Sequence, residues 1–319
     1  MRRDRSKTRE PKARYRVRNW AAYNARLIDR GNVTMWIDEA ALACTSDSES
    51  KRGRPRLYSD ALIQALLGLK TVFRLPLREP QGFAQSLRDL AFATLPVPNY
   101  TTLCRRAQAL EVQLPIVRDG EPIHPVVDST GVKVYGEGEW KVNQHGYSKR
   151  RTWRKVHLAL DANTGQVRAA LMTHQDVADG NVRAELFDQI PGNEQIDIIG
   201  GDGAYDSKPC HAALPRTAQR PRFRRAKAPL IGPRTRRARR GATMRSMRSP
   251  DSAAANGRRA AATIGARSLA ENVMYRLKTL TGNRSWARRI DSQATEVAIR
   301  MGVLNRMADL ARPQSVRVA

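Results

Sequence analysis

Three acidic residues, Asp128, Asp202 and Glu271, stand where carboxylates could be turned to chemistry. Asp128 closes a short apolar run, IHPVVD, and Asp202 follows another, QIDIIG, within Gly201-Asp202-Gly203. Two carboxylates at the ends of adjacent strands in one mixed sheet come within reach of a shared cation. Magnesium takes oxygen ligands in near-octahedral geometry and holds one or two protein carboxylates per ion, which leaves positions for water and phosphate. Glu271 would supply a third carboxylate from the start of a helical segment, SLAENVMYRLKTLTG, whose apolar positions Leu269, Val273, Leu277 and Leu280 are helically spaced. Each acid also has a purely structural reading. Asp128 precedes Ser129-Thr130-Gly131 and Asp202 lies between glycines, both suited to turns. Ser268-Leu269-Ala270-Glu271 fits a capping box, with Ser268 at the N-cap and Glu271 at N3. A helix start carries partial positive charge, so capping and metal ligation compete for this one glutamate.

The elements that must position these acids follow from pattern. Ser59 and Asp60 cap a helix through Ala61, Leu62, Leu66, Leu67, Leu69 and Val72; Gln81 to Phe92 repeats that spacing, and Thr101 opens another short helix. With Arg105 and Arg106 on the last of them, the three helices read either as a helix-turn-helix docking unit or as a plain bundle packed on the main domain. Beyond Pro122 the texture turns to strand. Residues 152–173 form a hairpin around Asp161-Ala162-Asn163-Thr164-Gly165, a helix spans Asp179 to Gln189, and a strand leads to Asp202. The domains expected are a basic arm and linker at 1–52, a small helical domain at 53–120, a mixed α/β core at 121–210, an atypical segment at 211–266, and further core at 267–319.

Charge narrows the partners. The chain of 319 residues carries a formal +27. Residues 211–268 hold fifteen arginines and one lysine against Asp251 alone, and residues 1–30 hold eleven basic residues against three acidic ones, so the body between is close to neutral. Such an excess points to phosphate polyanions, because neutralising phosphates releases condensed counterions. No apolar run of about 18 residues exists to span a bilayer, and no signal segment opens the chain, so a cytoplasmic protein without a membrane partner is expected. Cys44, Cys104 and Cys210 make no C-x-x-C pair, and the five histidines show no ligand spacing, which argues against zinc. Lys149, Arg150, Arg151, Arg154 and Lys155 are candidates to track a DNA backbone or to line an exposed strand edge. Trp140 and Trp153 either stack on a base or fill core.

The ordered blocks HPVVDSTGVKVYGEGEW, RRTWRKVHLALDANTGQV, IDIIGGDGAYDS and RSLAENVMYRLKTLTG resemble the DDE transposases of bacterial insertion sequences, in the insertion-sequence-five branch. The resemblance continues through ARRIDSQATEVAIRMGVLNRM and extends upstream to GRPRLYSDALIQALLGLKTVFRLPLREPQGFAQSL. It implies an RNase H-like mixed-sheet catalytic core in which Asp128, Asp202 and Glu271 hold two divalent ions, Mg2+ or Mn2+. The family signature Y-x2-R-x3-E-x6-K is met by Arg267, Glu271 and Lys278 but has Ile264 at the tyrosine. Arg267 and Lys278 are then expected to hold phosphate. The partners implied are the terminal inverted repeats and target DNA, bound by a homodimer that pairs two ends. The implied reaction is metal-dependent cleavage at the element's ends, followed by transfer of the freed 3′-hydroxyl to target DNA.

The family pattern fades over residues 211–266, where Phe223 is the one aromatic residue and neither helical nor strand period is present. Too little apolar surface is available there to offset ordering entropy, so a disordered basic insert is expected. Two compensating frameshifts would explain it, and a nucleic-acid-binding arm is the rival. Translating the other two frames decides between them. Two further functions share these features: a catalytically impaired copy that only binds DNA, and an RNase H-like nuclease acting on RNA-containing substrates.

Overall fold

The computed structural model describes residues 14–42, 57–118, 120–135, 152–201, 220–221, 268–310 and 313–318. At its centre, among these residues, is a five-stranded mixed sheet. The strands are β2 (Pro125–Tyr135), β3 (Thr152–Asp161), β4 (Val167–His174), β5 (Ile198–Gly201) and β6 (Arg220–Pro221), in the spatial order β4-β3-β2-β5-β6. β2, β3 and β4 pair antiparallel, whereas β5 lies parallel to β2 and β6 parallel to β5. β6 belongs to the arginine-rich stretch, so those two residues of it sit at the sheet edge. The rest of 211–266, Ile264 included, lies outside the described residues, as do Cys44, Cys210, Trp140, His145 and His211.

The hairpin turns as its sequence chemistry requires. Gly165 has φ +64, a left-handed conformation that glycine adopts without the Cβ clash. Asp161 gathers the turn by accepting from the backbone N–H groups of Asn163 (3.2 Å) and Thr164 (3.1 Å), and also from His124 N–H (3.0 Å). Arg168, itself buried, donates to the same carboxylate at 3.3 Å.

The two faces of the sheet bury different clusters. On one face, Val126, Val132, Val156, Leu158 and Leu160 pack against Ala270, Val273, Met274 and Leu277 of a helix spanning 268–281, and against Val297, Met301 and Leu304 of the long helix Ile290–Leu310. On the other, Val127, Ala159, Ala169 and Ile199 pack against Leu186 and Phe187 of the helix Arg183–Asp188. A short 3-10 turn, Asp179–Val182, precedes that helix, so the helix expected over 179–189 is split.

A third cluster joins the amino-terminal helices to the sheet domain. Helices Asp60–Val72, Glu79–Leu90 and Tyr100–Arg106 pack Leu62, Ile63, Leu66, Ala84 and Leu103 against Ile299, Val303 and Met307 of the long helix. Ser59 caps the first by accepting from Leu62 N–H at 3.1 Å. Arg106 turns inward, donating to Tyr58 O at 2.9 Å and pairing with Asp60, so it stitches the bundle together. Trp36, Ile37 and Ala41 enter this same core, and β1 (Arg14–Val17) pairs antiparallel with β7 (Ser315–Val318). Packing is thus continuous across the compositional boundary at residues 52 and 53. No described helix is long and apolar enough to cross a membrane.

Candidate metal and DNA site

Asp128 lies within β2, where the sequence suggested a strand end. Ser129, Thr130 and Gly131 do not turn; they pair with His157, Val156 and Lys155 of β3. The glycine has another reason to be there: a Cβ on Gly131 would stand 3.3 Å from the ring of Trp153. Side chains alternate along a strand. Asp128 therefore shares its face with Val126 and Val132, the face covered by helix 268–281. It is half-buried, and its Oδ1 accepts from Ser129 N–H at 2.8 Å.

The parallel register brings the second acid into the account. Val126 is opposite Gly200 and Val127 is opposite Gly201, so the residues that precede Asp128 and Asp202 form a rung of the ladder. Asp202 itself, the next residue in sequence after Gly201, lies outside the described residues.

Glu271 is exposed on helix 268–281. Ser268 is already helical, so it is not the N-cap that a capping box requires, and that reading of Glu271 loses its geometry. The buried stripe is also rotated from the sequence expectation. Ala270 and Leu277 are buried, whereas Leu269 is 38% exposed. This rotation leaves Glu271, Tyr275 and Lys278, at positions i, i+4 and i+7, along one stripe beside the buried one.

The other basic candidates divide. Arg154 reaches across the Asp128 face to Gln293 of the long helix, with Nε 3.1 Å from Oε1, and its Nη1 donates to Nδ1 of His174 at 3.1 Å. Lys155 is on the opposite face, where its ammonium bonds Asp179 (2.9 Å) and Val177 O (3.0 Å). Beside it His157 is buried, with Nε2 3.0 Å from Thr173 Oγ1. Burial holds the His157 pKa below its usual value; the nearby Asp179 opposes this and Lys155 reinforces it. Arg150, Arg151 and Arg267 lie outside the described residues.

Among the described residues no three His, Cys, Asp or Glu side chains form a group that could hold a metal. The set Asp128, Asp202 and Glu271 is made of carboxylate oxygens alone, which suits a hard divalent cation such as magnesium or manganese and not a thiolate- or imidazole-preferring one.

Two comparisons bear on this geometry. A family model described as a transposase DDE domain matches residues 119–306, well over half of the chain, and takes in the sheet, helix 268–281 and most of the long helix. A second model of the same description matches residues 28–137 and takes in the amino-terminal helices through β2. The mixed sheet with helices on both faces fits the RNase H-like core of such enzymes, which carry out nucleotidyl transfer on DNA and generally use divalent metal ions such as Mg2+. This chain therefore belongs to the family of DDE transposases.

Proposed function

We propose that this chain, within the insertion-sequence-five branch, cleaves DNA at the ends of an insertion sequence and joins the freed 3′-hydroxyl to target DNA. The observation that supports the reading is the β2–β5 register: Val127 and Gly201, the residues that precede Asp128 and Asp202 in sequence, are paired, and Asp128 lies on the face covered by the glutamate helix. Asp128, Asp202 and Glu271 would hold two magnesium or manganese ions. Bound there, the ions would lower the pKa of a water and offset charge on the departing oxygen. Water adds to phosphorus in line, and the 3′ oxygen leaves and takes up a proton. That hydroxyl then attacks a target phosphodiester with the same geometry.

The chain's own contribution is positioning. Asp128 is held by a strand fixed by backbone hydrogen bonds on both sides, Asp202 would follow β5, and Glu271 is held by a helix whose buried stripe locks onto the sheet. Lys278, seven residues or about two turns further along, and Arg267, four residues before Glu271, would grip phosphates. Arg150 and Arg151 would extend this contact; Arg154 and Lys155 would have to exchange protein partners to join it. Two copies would pair the two terminal repeats.

The test uses purified full-length chain and a plasmid that carries the DNA flanking its gene, in Mg2+ or Mn2+. Nicks that leave 3′-hydroxyls at the element's ends are expected. End binding without cleavage would identify an impaired copy, in keeping with Ile264 at the family tyrosine. Preference for an RNA-DNA hybrid would identify a nuclease of the same metal chemistry.

A further inference from the structure

Between helix 268–281 and the long helix runs an eight-residue segment, GNRSWARR, residues 282–289, with three arginines and no acid. Its backbone is fixed by side chains of the long helix. Arg300, 2% exposed, donates to Gly282 O at 2.9 Å and to Arg284 O at 2.6 Å. Glu296 accepts from Ser285 Oγ (2.8 Å), Trp286 N–H (3.0 Å) and Ala287 N–H (2.8 Å), and it pairs with Arg300. Gln293, fully buried, donates to Ala287 O and Arg288 O at 3.0 Å each. Ser285 N–H donates to Lys133 O at 2.8 Å, which ties the segment to the far end of the Asp128 strand. Burying an ion pair costs desolvation and seldom adds net stability. Here the pair sets the shape of a loop.

What the fixed loop presents is basic and aromatic. Arg288 and Arg289 are exposed, and Trp286 is 58% exposed with the Lys70 ammonium 5.6 Å from its ring centroid. The loop follows directly on the helix that carries Glu271 and Lys278. Eleven residues separate Glu271 from Gly282, roughly 16 Å along a helix. At 3.4 Å per base pair this corresponds to about five base pairs of duplex.

We propose that residues 282–289 are a preformed clamp for the DNA backbone, in which Arg288 and Arg289 hold phosphates of the duplex whose cleaved end lies at Glu271. The proposal rests on the reading of the chain as a DNA-cleaving transposase. Phosphate is the chemistry that fits. Two arginines on a rigid backbone meet it with little ordering cost, and phosphate contacts set register without reading sequence. Trp286, beside them, comes within reach of the same duplex and reports its arrival.

The test is equilibrium binding of the full chain to a 30-base-pair mixed-sequence duplex across a salt series. Each lost phosphate contact removes about 0.9 from the slope of log K against log salt. The R288Q/R289Q double variant should therefore lose roughly 1.8 from the slope, whereas R118Q, at an exposed arginine that pairs with Glu194, keeps it. W286F should lose part of the fluorescence change that duplex causes in the wild type. If the double variant keeps the full slope and W286F the full change, the clamp is wrong while the transposase reading stands. If the wild type shows no salt-dependent binding, both fall together.

Discussion

Asp161 and Asp128 stand on paired strands of one sheet, three rungs apart, and differ in burial. Asp161 is 1% exposed and receives the backbone N–H groups of His124, Asn163 and Thr164, the Thr164 hydroxyl and the Arg168 guanidinium. Burial alone would push its pKa up; the bonds from Thr164, His124 and Asn163 and the charge of Arg168 outweigh it and hold the carboxyl below its usual range. Asp128 is half-buried within β2. The same contrast separates Glu296, wrapped by Ser285, Trp286, Ala287 and Arg300, from Glu271, exposed on its helix. Acids that hold the fold are ringed by donors. A metal ligand must instead be reachable by an ion from solvent, and the greater exposure of Asp128 and Glu271 is what sets them apart from Asp161 and Glu296.

The contrast breaks most sharply if Asp128 proves structural. Asp128→Asn should lower DNA cleavage about 1,000-fold, the equivalent of about 4 kcal/mol of charge stabilisation. Its thermal midpoint should stay near that of the wild type. Asp161→Ala should do the reverse, costing about 3 kcal/mol in urea unfolding because it leaves Arg168 buried without that partner. Cleavage measured well below the new midpoint should survive.

Acid should act through the fold-holding groups. Asp161 and His157 both have folded pKa values below their ordinary ones, so each binds protons more readily when unfolded. Their stabilisation is complete above the unfolded pKa and is lost as pH falls through the folded one. The urea midpoint should therefore start to fall below about pH 6.5, as His157 begins to favour the unfolded chain, and fall again below about pH 4 from Asp161. Asp128→Asn should leave that profile in place. The smallest effect expected is at the helix surface. Leu269→Ala should cost under about 1 kcal/mol where Leu277→Ala costs about 3, and equal losses would put the helix in the sequence-derived rotation.

Local chemistry made much of this fold legible. The Ser59 cap and the glycine-ended turn after Asp161 each specify their own geometry over a few residues. What escaped depends on distant partners. Ser129-Thr130-Gly131 reads as a turn until β3 is laid beside it with Trp153 over the glycine. Helical spacing suits Leu269 as well as Ala270, and only the sheet beneath selects the face that includes Ala270. Trp36 and Ile37 belong to the core although the stretch around them is too short to show a period. At the site, the residue types of Asp128 and Glu271 were readable, and the packing of the Glu271 helix over the Asp128 face was not. The role of Gln293, Glu296 and Arg300 in holding residues 282–289 was hidden for the same reason: its parts are polar residues of a long helix whose spacing does not name the loop they hold.

The central claim is that Asp128 and Glu271 belong to one divalent-metal site. It is tested most directly by equilibrium Mn2+ binding to the full chain in complex with duplex DNA, for the wild type, Asp128→Asn, Glu271→Gln and the double variant. The account predicts that each single variant weakens binding at the same site by at least about tenfold, with melting unchanged, and that the double variant loses less than the sum of the two, as coupled residues do. Undiminished Mn2+ binding by Glu271→Gln together with a lowered melting temperature would contradict it and make Glu271 a purely structural residue.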